Sequence, residues 1–353
     1  MKSKIYILFA LILVFQVNTS FAQGCEGDDP VANDSTSAQS VKVFGYIQPQ
    51  FDYNFDGGDN VNTFRFKRAR LGVRGTVYND FSYYFMLEAS PFIGGDDQED
   101  AYLMDAFVTY NMDNWARISV GTYKQPFSLD VATPCHALPT IERSIVADQL
   151  VSPQRDFGIG VFGGNKYNKL NYAIALMNGR GLKIVDNNTK KDIIGRATYK
   201  VTNFLTVGGS FRYGYPKLNN IEDSRTTYGG EFLVELDKLK VQGEFIHDEG
   251  AYQAGAGGGC GSTPIDLDGL TSEGAYIMGA YSINEKIQPV FKYEYFDPNI
   301  DLKDNLDYQE RMTIGVNYFF NDKVRFQLNY LANIETVVNV DNDVLLAQMQ
   351  IKF

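Results

Sequence analysis

The chain breaks into sixteen segments of strand-like alternation, and the connectors between them are by turns short and long. The segments lie near 42–56, 61–75, 81–90, 102–112, 115–124, 156–165, 169–178, 191–200, 203–215, 225–237, 238–248, 272–284, 285–297, 307–319, 323–335 and 343–353. Most are about ten residues long, the length a tilted strand needs to cross a hydrocarbon core. Short connectors fall at 75–80, 113–114, 166–168, 201–202, 237–238, 284–285 and 321–322. Between them lie longer ones at 91–101, 125–155, 179–190, 216–224, 249–271, 298–306 and 336–342, and only the first, near 57–60, is brief. A soluble sandwich has no reason to show this parity. A transmembrane barrel does, with short periplasmic turns, longer external loops and both termini on the short-turn side.

The faces of the segments agree. Phe81, Tyr83, Phe85 and Leu87 alternate with Ser82, Tyr84, Met86 and Glu88. In the last segment Leu345, Ala347, Met349, Ile351 and Phe353 oppose Leu346, Gln348, Gln350 and Lys352, and the outermost residue is aromatic. A period of two with one apolar face marks a half-buried strand. In lipid every backbone group has to be paired, so such a sheet must close. The expected fold is therefore all-β, a 16-stranded antiparallel transmembrane barrel. At sixteen strands the bore is too wide for wall side chains to fill, which predicts a water channel.

Mean hydropathy is that of a soluble protein, as it is for any barrel in which every second residue faces lipid. Twenty-five Phe and 23 Tyr against one Trp supply aromatic girdles. Lys2 and Lys4, the apolar run 5–17 and Ser20-Phe21-Ala22 read as an export signal over 1–22, followed by a flexible mature N-terminus at 23–40 and the barrel at 41–353. Cys25 lacks the leading Leu that lipidation would want. Cys135 and Cys260 could pair in an oxidising compartment. Two histidines, His136 and His247, leave little for metal or acid–base chemistry, so neither a metal nor a cofactor is expected. A net charge of −11 argues against an anion-binding partner, and against nucleic acid, unless the charge is unevenly placed.

Three stretches carry a resemblance. Phe64-Arg65-Phe66-Lys67-Arg68-Ala69-Arg70-Leu71-Gly72-Val73-Arg74-Gly75 with Asp80-Phe81-Ser82-Tyr83, then Val120-Gly121-Thr122-Tyr123-Lys124-Gln125-Pro126-Phe127-Ser128, then Arg155-Asp156-Phe157-Gly158 follow one another in order. Together they resemble the signatures of the phosphate-selective porin O and P family. The resemblance implies a bacterial outer-membrane porin, usually trimeric, in contact with outer-membrane lipid and passing small solutes or anions. It does not bring a phosphate-site motif that maps residue by residue onto this chain.

With the apolar face toward lipid, the lumen receives the cations Arg68, Arg70, Arg74, Arg117, Arg196, Lys200, Arg212, Lys240, Lys292, Arg311, Arg325 and Lys352. Glu88, Asp105, Glu231, Glu235, Glu244 and Glu294 also point inward, about two cations per anion on a register read from alternation. A positive wall in a low-dielectric channel concentrates anions. The plain alternative is that lumen arginines pair with lumen carboxylates to brace the wall. Phe64 and Phe66 share the parity of Arg68, Arg70 and Arg74 although they want lipid, and a bulge near Lys67–Arg68 would reconcile the two. The connector 125–155, far longer than an ordinary hairpin, is expected to fold inward as a constriction. Lys124, Arg143 and Arg155 facing Asp130, Glu142 and Asp148 are its candidate eyelet charges.

Other functions remain open at this point. An enzyme would have to use His247-Asp248-Glu249 with His136, a set without an evident nucleophile. A carbohydrate channel would use inward aromatics such as Tyr84, Phe107 and Tyr123. A general unselective porin and a non-conducting adhesin or structural barrel complete the alternatives.

Overall fold

The computed structural model describes residues 39–55, 61–78, 80–93, 101–113, 115–165, 167–182, 185–186, 188–217, 223–252, 264–302, 308–334 and 341–353. The expected signal peptide, most of the expected flexible N-terminus, the acidic run 96–100 and Cys260 lie outside them. Sixteen strands close into one barrel in which each pairs antiparallel with its sequence neighbour and β1 pairs with β16. In chain order they are β1 (Gln39–Asn54), β2 (Val61–Val77), β3 (Phe81–Glu88), β4 (Tyr102–Asp113), β5 (Ala116–Lys124), β6 (Arg155–Gly163), β7 (Leu170–Met177) and β8 (Asp192–Lys200). The second half comprises β9 (Leu205–Gly214), β10 (Arg225–Glu235), β11 (Leu239–Gly250), β12 (Thr271–Tyr281), β13 (Ile287–Asp297), β14 (Gln309–Phe319), β15 (Val324–Ile334) and β16 (Val344–Lys352). Every expected strand is present, its ends displaced by three residues at most.

Alternation sorts the side chains as the sequence requires. Phe64 (83% exposed), Ile174 and Ile314 stand outward, while Gln48, Lys292 and Asn317 on the inner face are buried. The conflict at Phe64 and Phe66 is resolved by a bulge: Gln48 pairs with Arg68 and Pro49 with Phe66, so Lys67 is the extra residue. Both Lys67 and Arg68 then face the interior, and the parity of β2 flips between Phe66 and Ala69. A second bulge at Met104, between Leu87↔Leu103 and Met86↔Asp105, turns Phe107 inward by the same device.

The interior is not left to water alone. The connector between β5 and β6 folds into the barrel, carrying α1 (Leu129–Ala132), a 3-10 turn at Cys135–Ala137 and α2 (Ile145–Leu150). Val131, Val146, Ala147 and Leu150 pack against Met177, Ile194, Ile246 and Phe296 of the wall, all fully buried. The connector thus takes the inward path expected of it, and its side chains supply filling that wall side chains cannot reach.

Candidate functional site

The inward loop is bonded to the wall around most of its circumference. At its start Lys124 Nζ donates to the carbonyls of Val131 (2.7 Å) and Thr133 (3.2 Å). Glu244 on β11 accepts from Ser128 Oγ (2.9 Å) and from the amides of Leu129 and Asp130, so it caps α1. Ser128 needs that support, since its φ of 70° is uncommon for a residue with a side chain. The chain then passes Arg70 on β2, which donates to Cys135 Sγ at 3.2 Å, and Gln350 on β16, which donates to the carbonyl of His136. Asn317 on β14 and Gln327 on β15 donate to Pro139, and Asn329 accepts from the amide of Ile141. Glu294 on β13 accepts from Ile145 at the start of α2. Arg225 on β10 donates to the carbonyls of Leu150 and Ser152, and Arg212 on β9 to Ser152. Cys135 is disulfide-bonded, and its partner lies outside the described residues.

This placement changes the meaning of the basic residues. Arg212, Lys292 and Arg325 hold the loop: Lys292 Nζ donates to the carbonyl of Arg143 at 3.0 Å and Arg325 Nη1 to that of Leu138 at 3.0 Å. Arg70 pairs with Glu88 (2.7 Å), Arg196 with Glu231 (2.5 Å), Arg212 with Asp192 (2.5 Å) and Arg311 with Glu294 (2.6 Å). Arg68 donates to Gln48 at 2.8 Å, Arg74 lies over the ring of Phe44, and Arg117 donates to the carbonyl of Gly164 at the short-turn end. All nine candidates sit on inner faces, and six of them, Arg70, Arg196, Arg212, Lys292, Arg311 and Arg325, brace the wall or the loop.

The six loop candidates divide in the same way. Arg155 pairs with Asp105 at 3.0 Å with both side chains fully buried, so it is a structural anchor and not an eyelet charge. Lys124 is spent on loop carbonyls. Asp130 accepts from the amide and hydroxyl of Ser144, with Arg143 at 4.0 Å. Glu142 is the loop acid that keeps some exposure, facing Lys67 at 2.7 Å. Lys67 and Arg68 hold its carboxyl down to about 2 against its burial. Asp148 is the opposite case. Burial pushes its carboxyl up to about 6, and the Arg143 guanidinium only partly offsets this. Burial likewise lowers Arg143 from the ordinary guanidinium value.

The inward aromatics form a row, with Phe44, Tyr84, Phe107, Tyr123 and Phe162 in successive ring contact at 5.0–5.8 Å. Phe44, Tyr84, Tyr123 and Phe162 are buried and Phe107 is half-buried, so the row serves mainly as packing. The rim trio is not assembled either. His247 points outward onto Tyr228, Asp248 points inward to Arg225, and His136 lies in the lumen beside Tyr46.

The three sequence signatures are the joinery of this arrangement. The first supplies the bulge at Lys67 and the contacts of Arg68 and Arg70. In the second, Gly121 has φ 137° and its missing Cβ makes room for the carbonyl of Ala106, Lys124 ties the loop root and Phe127 is buried. In the third, Asp156 accepts from the amides of Phe157, Gly179 and Gly181. Alternation alone missed Lys67, whose parity is reset by the bulge. It also missed Arg225 and the inner amides Gln48, Gln50, Gln327 and Asn329, which carry no charge to draw attention.

A closed sixteen-stranded barrel whose long β5–β6 connector is tied inside it is the architecture of an outer-membrane porin, a channel class. The family described as "Phosphate-selective porin O and P" matches residues 41–223 and 215–353, and the chain belongs to it. Porin O of Pseudomonas aeruginosa is 24% identical over 185 residues, which cover 49% of this chain and 41% of that relative. The matched region thus spans less than half the length of that curated relative. Among solved structures, an anion-selective porin from Comamonas acidovorans superposes with a TM-score of 0.65 at 13% identity, covering 89% of this chain and 100% of the other. OmpF of Salmonella typhi, in complex with daunomycin, gives 0.69 at 10% identity, covering 90% and 98%. These likenesses concern the fold. The protein is a bacterial outer-membrane barrel.

Proposed function

We propose that the barrel is a passive diffusion channel for small solutes with a preference for anions, assembled as a homotrimer. The observation that carries the preference is the division of charge on the inner wall. The carboxylates Glu88, Asp105, Asp192, Glu231, Asp248 and Glu294 each have an arginine partner, while Glu244 forms no ion pair among the described residues and caps α1. Lys42, Lys200, Arg325 and Lys352 face the interior toward the short-turn end, and none of them forms an ion pair among the described residues. Paired charges nearly cancel at a distance, so the surplus sets the potential that a permeant ion meets. The acidic net charge does not oppose this reading, because the sequence places much of it in the long connectors between strands, Asp96-Asp97 and Glu99-Asp100 among them.

The test is the zero-current potential of the purified protein in a planar bilayer under a salt gradient. An anion-selective reversal supports the proposal. A cation-selective reversal means that rim and loop acids govern the pore, and the anion preference is dropped. No conductance turns the reading toward a structural barrel. Chemical cross-linking in detergent before and after heating tests the trimer.

A further inference from the structure

On the inner faces of β1, β15 and β16, beside the tip of the inward loop, four neutral amides line one patch with a buried cation. Register pairs Arg325 with Gln350 and Gln327 with Gln348, and across the closing seam Gln348 with Gln50. All five are more than nine-tenths buried. Directly opposed side chains have Cβ atoms about 5 Å apart, so these residues make one continuous patch.

The amide orientations are forced. Asp52 can only accept, so Gln50 presents Nε2 to it at 2.5 Å, and Gln50 Oε1 then accepts Gln348 Nε2 at 2.6 Å. Gln348 Oε1 is left without a partner. Gln327 Nε2 faces the carbonyls of Leu138 and Pro139 and Asn317 Oδ1, which leaves Gln327 Oε1 without one as well. Arg325 gives Nη1 to the Leu138 carbonyl and Nη2 to Gln350 Oε1, and its Nε is unpartnered. No carboxylate pairs with Arg325 among the described residues, and the charged group that acts on it most is another cation, Arg68. Buried polar atoms without partners cost free energy, and a buried cation facing a like charge costs more. Such a set of atoms calls for a ligand with an anionic end and hydrogen-bond donors. Beside the patch the loop tip opens outward: Ala137 is exposed and His136 half-buried.

We infer that this patch is a solute site for a small polyhydroxylated carboxylate, a sugar acid in chemical class. The carboxylate offsets Arg325, and the hydroxyls donate to Gln327 Oε1 and Gln348 Oε1. A simple carboxylate would meet the cation but leave both amide oxygens empty, and a neutral sugar would do the reverse. The inference rests on the reading of the barrel as a channel.

The experiment uses the full protein in planar bilayers carrying chloride current. Gluconate, acetate, glucose and inorganic phosphate are added to the short-turn side at constant ionic strength. Gluconate is expected to halve the current at a concentration about tenfold below that needed for any of the other three, the scale of one or two added hydrogen bonds. Gln348→Met removes one acceptor without touching the loop. It should raise the gluconate concentration about fivefold and leave acetate unchanged. Gluconate acting no better than acetate, phosphate matching gluconate, or Q348M altering nothing overturns the site, while the anion preference stands on its own reversal potential. If Q348M does not fold, the wild-type ranking of the four solutes still decides. Absence of any current removes the channel reading and the site with it.

Discussion

Phe353 closes the barrel over Gly45. The two residues exchange backbone hydrogen bonds, Gly45 N to Phe353 O at 3.1 Å and Phe353 N to Gly45 O at 2.9 Å. The phenyl ring covers the place where a side chain on Gly45 would stand, with Cζ 2.8 Å from an added Cβ, and the carbonyl of Arg70 lies 2.4 Å from that point on the other side. A ring can turn away, but a strand carbonyl cannot move without opening the β1–β2 ladder. Gly45→Ala should therefore weaken closure by about 1–3 kcal/mol, the usual scale of overpacking. The folded fraction, read from heat-modifiable migration on gels after refolding into detergent, should fall. A Phe353→Ala background should recover only the ring's share of the loss, because the Arg70 carbonyl remains.

Most of this fold was legible because a membrane barrel writes each strand twice, once in the alternation and once in the parity of its connectors. The inner-face assignment of Arg196, Arg212, Arg311 and Arg325 followed from period two alone. The use of those residues did not. Alternation tells which way Arg212 points, but whether it meets a solute or the carbonyl of Ser152 depends on a loop whose path is set by tertiary bonds. Alternation equally does not show that Lys124 meets the carbonyls of Val131 and Thr133, or that Arg155 meets Asp105. The bulge at Lys67 was legible, since Phe64 and Phe66 could not share a face with three arginines.

That bulge gives a second prediction. Deleting Lys67 restores simple register and would carry Phe64 and Phe66 into the lumen, or Arg68, Arg70 and Arg74 into lipid, because a one-residue slip exchanges the faces. Arginine on the lipid face near mid-membrane costs about 2–4 kcal/mol apiece. The deletion is expected to abolish the heat-modifiable form. Lys67→Ala keeps the extra residue and should fold, losing only the contact with Glu142. If the deletion variant folds as well as K67A, the bulge does not set the register.

The Arg155–Asp105 pair anchors the far end of the inward loop with both side chains fully buried. Removing one member of such a pair strands the other charge, at a cost of about 3–5 kcal/mol, whereas replacing both by apolar residues of similar size is close to neutral. Asp105→Asn should lower the urea midpoint of the protein in lipid vesicles markedly, and Asp105→Leu with Arg155→Met should restore most of it. Equal loss in the single and double variants would mean that the two residues act separately.

The loop carboxylates predict a pH profile with two limbs of opposite sign. Glu142 has its pKa lowered from 4.5 to about 2, so its contribution to loop docking is present above 4.5 and is lost as the pH falls toward 2. Asp148 has its pKa raised from 3.8 to about 6, so the docked loop favours the protonated form; docking is strongest below 3.8, weakens as the pH rises to 6 and is level above it. Stability of the docked loop should peak near pH 4, where Glu142 is ionised and Asp148 is still largely protonated. Asp148→Asn keeps an acceptor for Gln154 Nε2, which donates to Asp148 at 3.0 Å, and removes the buried charge. It should flatten the limb between 3.8 and 6 and leave the acidic limb intact, while Glu142→Gln should do the converse. The readout is the urea midpoint at half-unit steps from pH 3 to 8, together with closing noise in single-channel traces over the same range. If D148N is less stable than the wild type at pH 8, Asp148 is held as an ion by Arg143 more firmly than burial opposes it, and the assignment of the upper limb fails.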